Sequence, residues 1–127
     1  MRYTRLAIMI GLVSSVACKS STAPGCSGPD CVTIRDFSFS PSAVSIKAGT
    51  TITWTNDGPS SHTTTSDSGV WDSGTLGAPS GGGGYGGGTA GGSFQFKFST
   101  PGTYSYHCKI HPPSSYPSFT GTITVTP

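Results

Sequence analysis

The sequence predicts an all-β protein, a sandwich or small barrel of seven to eight strands. Three observations carry that expectation. No stretch after Val16 repeats its apolar residues at helical spacing. Short runs rich in Thr, Val, Ile and aromatics are separated by Gly, Pro, Asn and Asp. Within the runs apolar residues alternate, so that Val44 and Ile46 share a face, as do Ile52 and Trp54, Phe94, Phe96 and Phe98, and Tyr104 and Tyr106.

At 127 residues the chain has room for one domain. Residues 1–17 read as a signal peptide. Arg2 and Arg5 form a basic start, and Leu6 to Val16 is an apolar run too short for a permanent transmembrane helix. Cys18 follows, with a polar tract behind it, and the junction resembles the lipidation signal of bacterial lipoproteins, although Ser15 stands where that signal has Leu. Lipidation of Cys18 is the expectation, and ordinary cleavage nearby is the alternative. Residues 18–31 then form a polar linker. In it Cys26 and Cys31 enclose a Gly-Pro turn and can close a small disulfide loop or stay reduced.

The domain proper is expected over residues 32–127. Its candidate strands, in order, are "CVTIRDFSF", "AVSIKA", "TTITWTN", "HTTTSD", "SFQFKFS", "GTYSYHC" and "GTITVT". Between the fourth and fifth lies "PSGGGGYGGGTAGG", residues 79–92, a loop insertion that cannot bury a core. It is no phosphate cradle, because neither a following helix nor a Lys-Ser/Thr pair is present.

Charge excludes one class of function. Of seven basic residues, Arg2 and Arg5 belong to the export signal; the five that remain face five aspartates. A mature chain near neutrality has no basic stripe for nucleic acid.

The chemistry gathers near the C-terminus. Tyr104, Tyr106 and Cys108 lie on one face of their strand, so the thiol should point inward with the aromatics. An unpaired thiol in an oxidising compartment is a liability unless it is protected or used. His111 follows three residues later, and Pro112-Pro113 forces an extended turn that can return it to the sulfur. His62 follows the Trp54 strand across a turn-rich linker, which places it at the same end of a sandwich. Two imidazoles and a thiolate are the ligand set of electron-transfer copper. Taken singly, each residue reads as an exposed loop histidine, an inert buried thiol and a surface histidine. Their convergence with the strand pattern is what points to a metal.

From Val32 to Val125 the chain resembles the cupredoxins, the plastocyanin and amicyanin family of blue-copper proteins. The matching pieces run in order: "FSFSPSAVSIKAGTTITWTND", "HTTTSDSGVWDSGTL", "FQFKFSTPGTYSYHCKIHP" and "GTITV". The resemblance implies a Greek-key sandwich binding one copper ion through His62, Cys108 and His111. It also implies outer-sphere electron transfer to redox proteins docking transiently near His111. Relatives carry a weak axial Met before the last strand, whereas Met1 and Met9 are the only methionines here. Aligning "SFTGTITV" puts Phe119, which cannot ligate, at the axial position. The alternative donor is an oxygen from Ser114, Ser115, Tyr116 or a backbone carbonyl. Asn56 and Thr63 are candidates to support the ligands, and Thr63 stands where relatives have Asn. His107 beside the copper cysteine also occurs in multicopper oxidases, but too few histidines remain here for a trinuclear cluster.

The expectation is therefore an exported electron shuttle, not an enzyme. It is expected to be a monomer, on the periplasmic or cell-surface side, tethered to the membrane by a lipid on Cys18. Copper storage or delivery is the alternative, and a metal-free adhesion or assembly module is the third.

Overall fold

The structure is a computed structural model that describes residues 26–81 and 88–127. The expected signal peptide, Cys18 and the middle of the Gly-rich insertion lie outside those residues. Among the described residues eight strands are formed: β1 (Cys31–Arg35), β2 (Ser38–Ser40), β3 (Ala43–Lys47), β4 (Thr50–Asn56), β5 (Thr65–Ser66), β6 (Ser93–Phe98), β7 (Gly102–His107) and β8 (Thr120–Thr126). They make two four-stranded sheets, ordered β2-β1-β4-β6 and β3-β8-β7-β5. Each sheet is mixed, because β1 runs parallel to β4 and β3 parallel to β8. The expected all-β sandwich is what forms.

Alternation builds the core. Val44 and Ile46 pair in register with Ile123 and Val125, and all four are buried. Trp54 is the centre of the aromatic packing, with the rings of Trp71 at 5.5 Å, Tyr106 at 5.7 Å, Phe94 at 6.0 Å and Phe98 at 6.3 Å. Fully burying side chains of this size stabilises by roughly 1.5–3 kcal/mol each. The same period of two carries Asn56 to the inner face at the end of β4.

Two segments depart from expectation. "CVTIRDFSF" is a hairpin rather than one strand, turning at Asp36-Phe37 so that Arg35 pairs with Ser38. Phe37 takes a φ of 63°, a left-handed conformation that is costly for a residue with a side chain. Its ring offsets that cost by stacking on Tyr116 at 4.0 Å and meeting Phe119 edge-on at 6.3 Å. "HTTTSD" keeps only the two residues of β5. The N–H of Thr63 donates to Cys108 Sγ and that of Thr64 to Ser73 Oγ, so neither enters a ladder. Cys26 and Cys31 form the disulfide, with Cα atoms 5.4 Å apart.

Topology assembles one pole of the sandwich. Parallel pairing of β1 with β4 sets Ile34 opposite Asn56, so the β1–β2 turn lies beside the chain leaving β4. Pairing of β5 with β7 sets Thr65 opposite His107, which brings residues 62–63 beside Cys108.

Candidate metal centre

His62, Cys108 and His111 converge at that pole, with one ligand atom from each inside a mutual distance of 4.8 Å. Cys108 follows the last residue of β7 and is fully buried, as the alternation with Tyr106 predicts. His62 is also fully buried and is held by its backbone, whose N–H donates to Leu76 O at 3.0 Å while its carbonyl accepts from Leu76 N at 2.8 Å. His111 is only half-buried.

The ring atoms that face inward are the two Nδ1 nitrogens. They are 3.2 Å apart, and Cys108 Sγ lies 3.9 Å from the one and 3.7 Å from the other. The far side of His62 fixes its tautomer: Nε2–H donates to Asp36 Oδ1 at 2.8 Å, which leaves Nδ1 with a bare lone pair. Such a lone pair held 3.2 Å from a second ring nitrogen requires a proton or a cation between them. Bonds of about 2 Å to imidazole nitrogen and about 2.3 Å to thiolate would separate the ligand atoms of a three-coordinate ion by about 3.5–3.7 Å. The observed triangle fits a small thiophilic metal ion.

Surrounding residues hold this triangle in place. Asn56 Nδ2 donates to the carbonyls of Ser60, Leu76 and Gly77 at 2.8, 3.0 and 3.1 Å, and Oδ1 accepts from Gly58 N at 3.0 Å. Asn56 thus frames the loop that delivers His62. Thr63 spans both ligand segments: its N–H donates to Cys108 Sγ at 3.3 Å and its Oγ1 accepts from Lys109 N at 2.9 Å. The threonine thus links the His62 segment to the Cys108 turn directly. Lys109 also pairs with Asp72, whose carboxyl it holds below the usual value.

Phe119 is fully buried, edge-on to His62 at 5.0 Å and nearly parallel to His111 at 6.3 Å. Of the alternative oxygen donors, Ser114 and Ser115 are exposed in a turn closed by the N–H groups of Ser115 and Tyr116 donating to Pro112 O. Tyr116 turns its ring against Phe37 and, at 5.5 Å, against the edge of His111. His107 points away from the cluster, its Nδ1 2.6 Å from Asp67 Oδ1.

Sequence reasoning missed Asp36. The His62 N–H holds its carboxyl below the usual aspartate value, with Ser60 adding to the effect against partial desolvation. An aspartate inside an apparent strand was the one available signal.

The chain matches the family of copper binding proteins described as the plastocyanin/azurin family over residues 30–126. It is 38% identical over 97 residues to the plastocyanin of Scenedesmus fuscus, covering 68% of this chain and 85% of that protein. Among solved structures it is similar to a purple cupredoxin from Nitrosopumilus maritimus, at 26% identity and a TM-score of 0.55, over 76% of this chain and 98% of that one. Oxidised plastocyanin from Dryopteris crassirhizoma shares the fold at 22% identity and a TM-score of 0.54, over 76% and 99%.

Proposed function

The chain belongs to the plastocyanin/azurin family of copper-binding proteins, and from that premise we propose that it carries single electrons between redox proteins of the cell envelope. The observation that carries the proposal is the buried triangle of His62 Nδ1, His111 Nδ1 and Cys108 Sγ. These three residues are the proposed ligands.

Copper bound there supplies a one-electron Cu(II)/Cu(I) couple. The protein's part is to keep the ligands still and dry. Thr63 ties the Cys108 turn to the His62 segment, so the two loops move as one. Phe119 fills the space against both imidazoles with a group that neither ligates nor admits water. Ligands that do not rearrange between oxidation states keep the reorganisation cost of electron transfer low.

His111 is the proposed electron port, because it alone of the three reaches the surface. Ile110, 44% exposed, and the exposed Pro112 give that rim an uncharged character. Docking there would be weak, transient and only slightly sensitive to salt. Export, a monomeric state and a lipid anchor on Cys18 belong to the same proposal. Export and the anchor are supported by the basic start, the apolar run and Cys18 of the N-terminal sequence.

The test is copper addition to the purified protein. Cu(II) should produce an intense visible thiolate-to-copper band that bleaches and returns on reduction and reoxidation, and Cys108→Ser should abolish it. A colourless, rapidly exchanging complex would favour copper delivery. No uptake would leave a structural module.

A further inference from the structure

We propose that Asp36 is a positioning residue for the copper site, setting the donor strength of His62 and thereby lowering the reduction potential. The inference rests on the ligand assignment above.

The geometry behind it is specific. Asp36 Oδ1 accepts from His62 Nε2–H at 2.8 Å, on the side of the ring opposite the Nδ1 that faces Cys108. The carboxylate is itself held in place: Ser60 Oγ donates to Oδ2 at 2.9 Å and Ser60 N to Oδ1 at 3.3 Å. Gly58 packs so closely that an added Cβ would lie 2.7 Å from Oδ1 and 2.9 Å from Asp36 N. The strained turn at Phe37 aims the side chain, and the stack of Phe37 on Tyr116 maintains that turn. His62 is fully buried while the Asp36 side chain keeps 28% of its exposure. The carboxylate therefore stays hydrated on one face and hydrogen-bonded on the other.

An imidazole that donates to a carboxylate is a stronger donor at its other nitrogen than one that donates to a neutral oxygen. Stronger donation favours Cu(II), the more highly charged ion, over Cu(I). Asp36 thus opposes Phe119, whose lack of a donor atom favours Cu(I). The final potential is set by two residues pulling in opposite directions.

The test uses the copper-loaded full chain. Asp36→Asn keeps the shape and an oxygen acceptor but removes the charge. It should raise the potential while preserving the thiolate-to-copper band. Partners of metal-bound histidines are worth about tenfold or more in affinity. A tenfold loss confined to Cu(II) corresponds to a rise of about 59 mV in a one-electron couple. Ser60→Ala removes a donor that draws charge from the carboxylate, so it should lower the potential. A merely structural Asp36 would give both variants shifts of one sign, because both loosen the same loop. Shifts of one sign, or an unchanged potential in D36N, overturn the role. A third readout is independent of copper: nitrogen-15 NMR of the metal-free protein should show His62 as the Nε2–H tautomer. The Nδ1–H tautomer would overturn the inference even if the protein takes up copper normally. Failure of the copper band alone would count only against the electron-transfer proposal.

Discussion

In the proposed copper site Phe119 takes the place of a weak axial donor, and it has no lone pair to offer. Its ring lies against both imidazoles and is fully buried, so water cannot take the place of the missing donor. With nothing to stabilise the higher charge from that direction, the reduced ion is favoured. Phe119→Met restores a thioether of comparable bulk at the same place. Its reduction potential should fall, on the order of 59 mV for each tenfold gain in preference for Cu(II). Voltammetry of the two copper-loaded proteins checks this, and an unchanged or higher potential in the variant would mean that Phe119 does not occupy the axial direction. Thr63 ties the two ligand segments together through two separate groups. Its hydroxyl accepts the Lys109 N–H at 2.9 Å, and its own N–H donates to the sulfur at 3.3 Å. A side-chain amide is not required for that bridge.

At the scale of strands, β7 and β8 must approach closely for Tyr106 to reach the core, and Gly121 is what permits it. Tyr106 and Gly121 are directly paired, and a Cβ on Gly121 would collide with the Tyr106 ring, whose outward path is closed by Trp54. Gly121→Ala should therefore destabilise the fold by about 1–3 kcal/mol through overpacking. Chemical denaturation would show this as a lower midpoint with an unchanged slope. Strands such as β3, β4, β6 and β8 were legible because alternation alone determines which face is buried. The Asp36-Phe37 hairpin was not, because Phe37 stands where a two-residue turn favours glycine, and the turn's stability comes from aromatic contacts made with Tyr116 and Phe119 far along the chain. The segment 62–67 was misread for the opposite reason. Its threonines suit a strand, but tertiary partners take their N–H groups. The three proposed ligands were legible from residue type and spacing. Asp36 was not, because its place beside His62 depends on the parallel pairing of β1 with β4.

For the molecule as a whole, the same packing that shelters the site sets an alkaline limit on stability. Tyr106 is fully buried, and neither its hydroxyl nor the Trp54 indole N–H has a hydrogen-bond partner among the described residues. Burial pushes the phenol up to about 12 from its ordinary value of 10.0, while the nearby Trp54 N–H pulls weakly the other way although it falls short of a hydrogen bond. Below pH 10 both folded and unfolded chains keep this proton, and the group adds no pH dependence. Between about 10 and 12 the unfolded chain releases it and the native chain does not. The native state then holds more protons, so stability must fall as pH rises. Two pKa units correspond to roughly 2–3 kcal/mol, a large share of the 5–15 kcal/mol of a typical small domain. Tyr106→Phe removes the titrating group and an unpaired buried hydroxyl together, at little loss of shape. Denaturation midpoints for the two proteins, followed from pH 9 to 12, should diverge above pH 10, with the wild type losing stability faster. Parallel curves would show that Tyr106 titrates alike in both states, and that its burial does not exclude the charged phenolate.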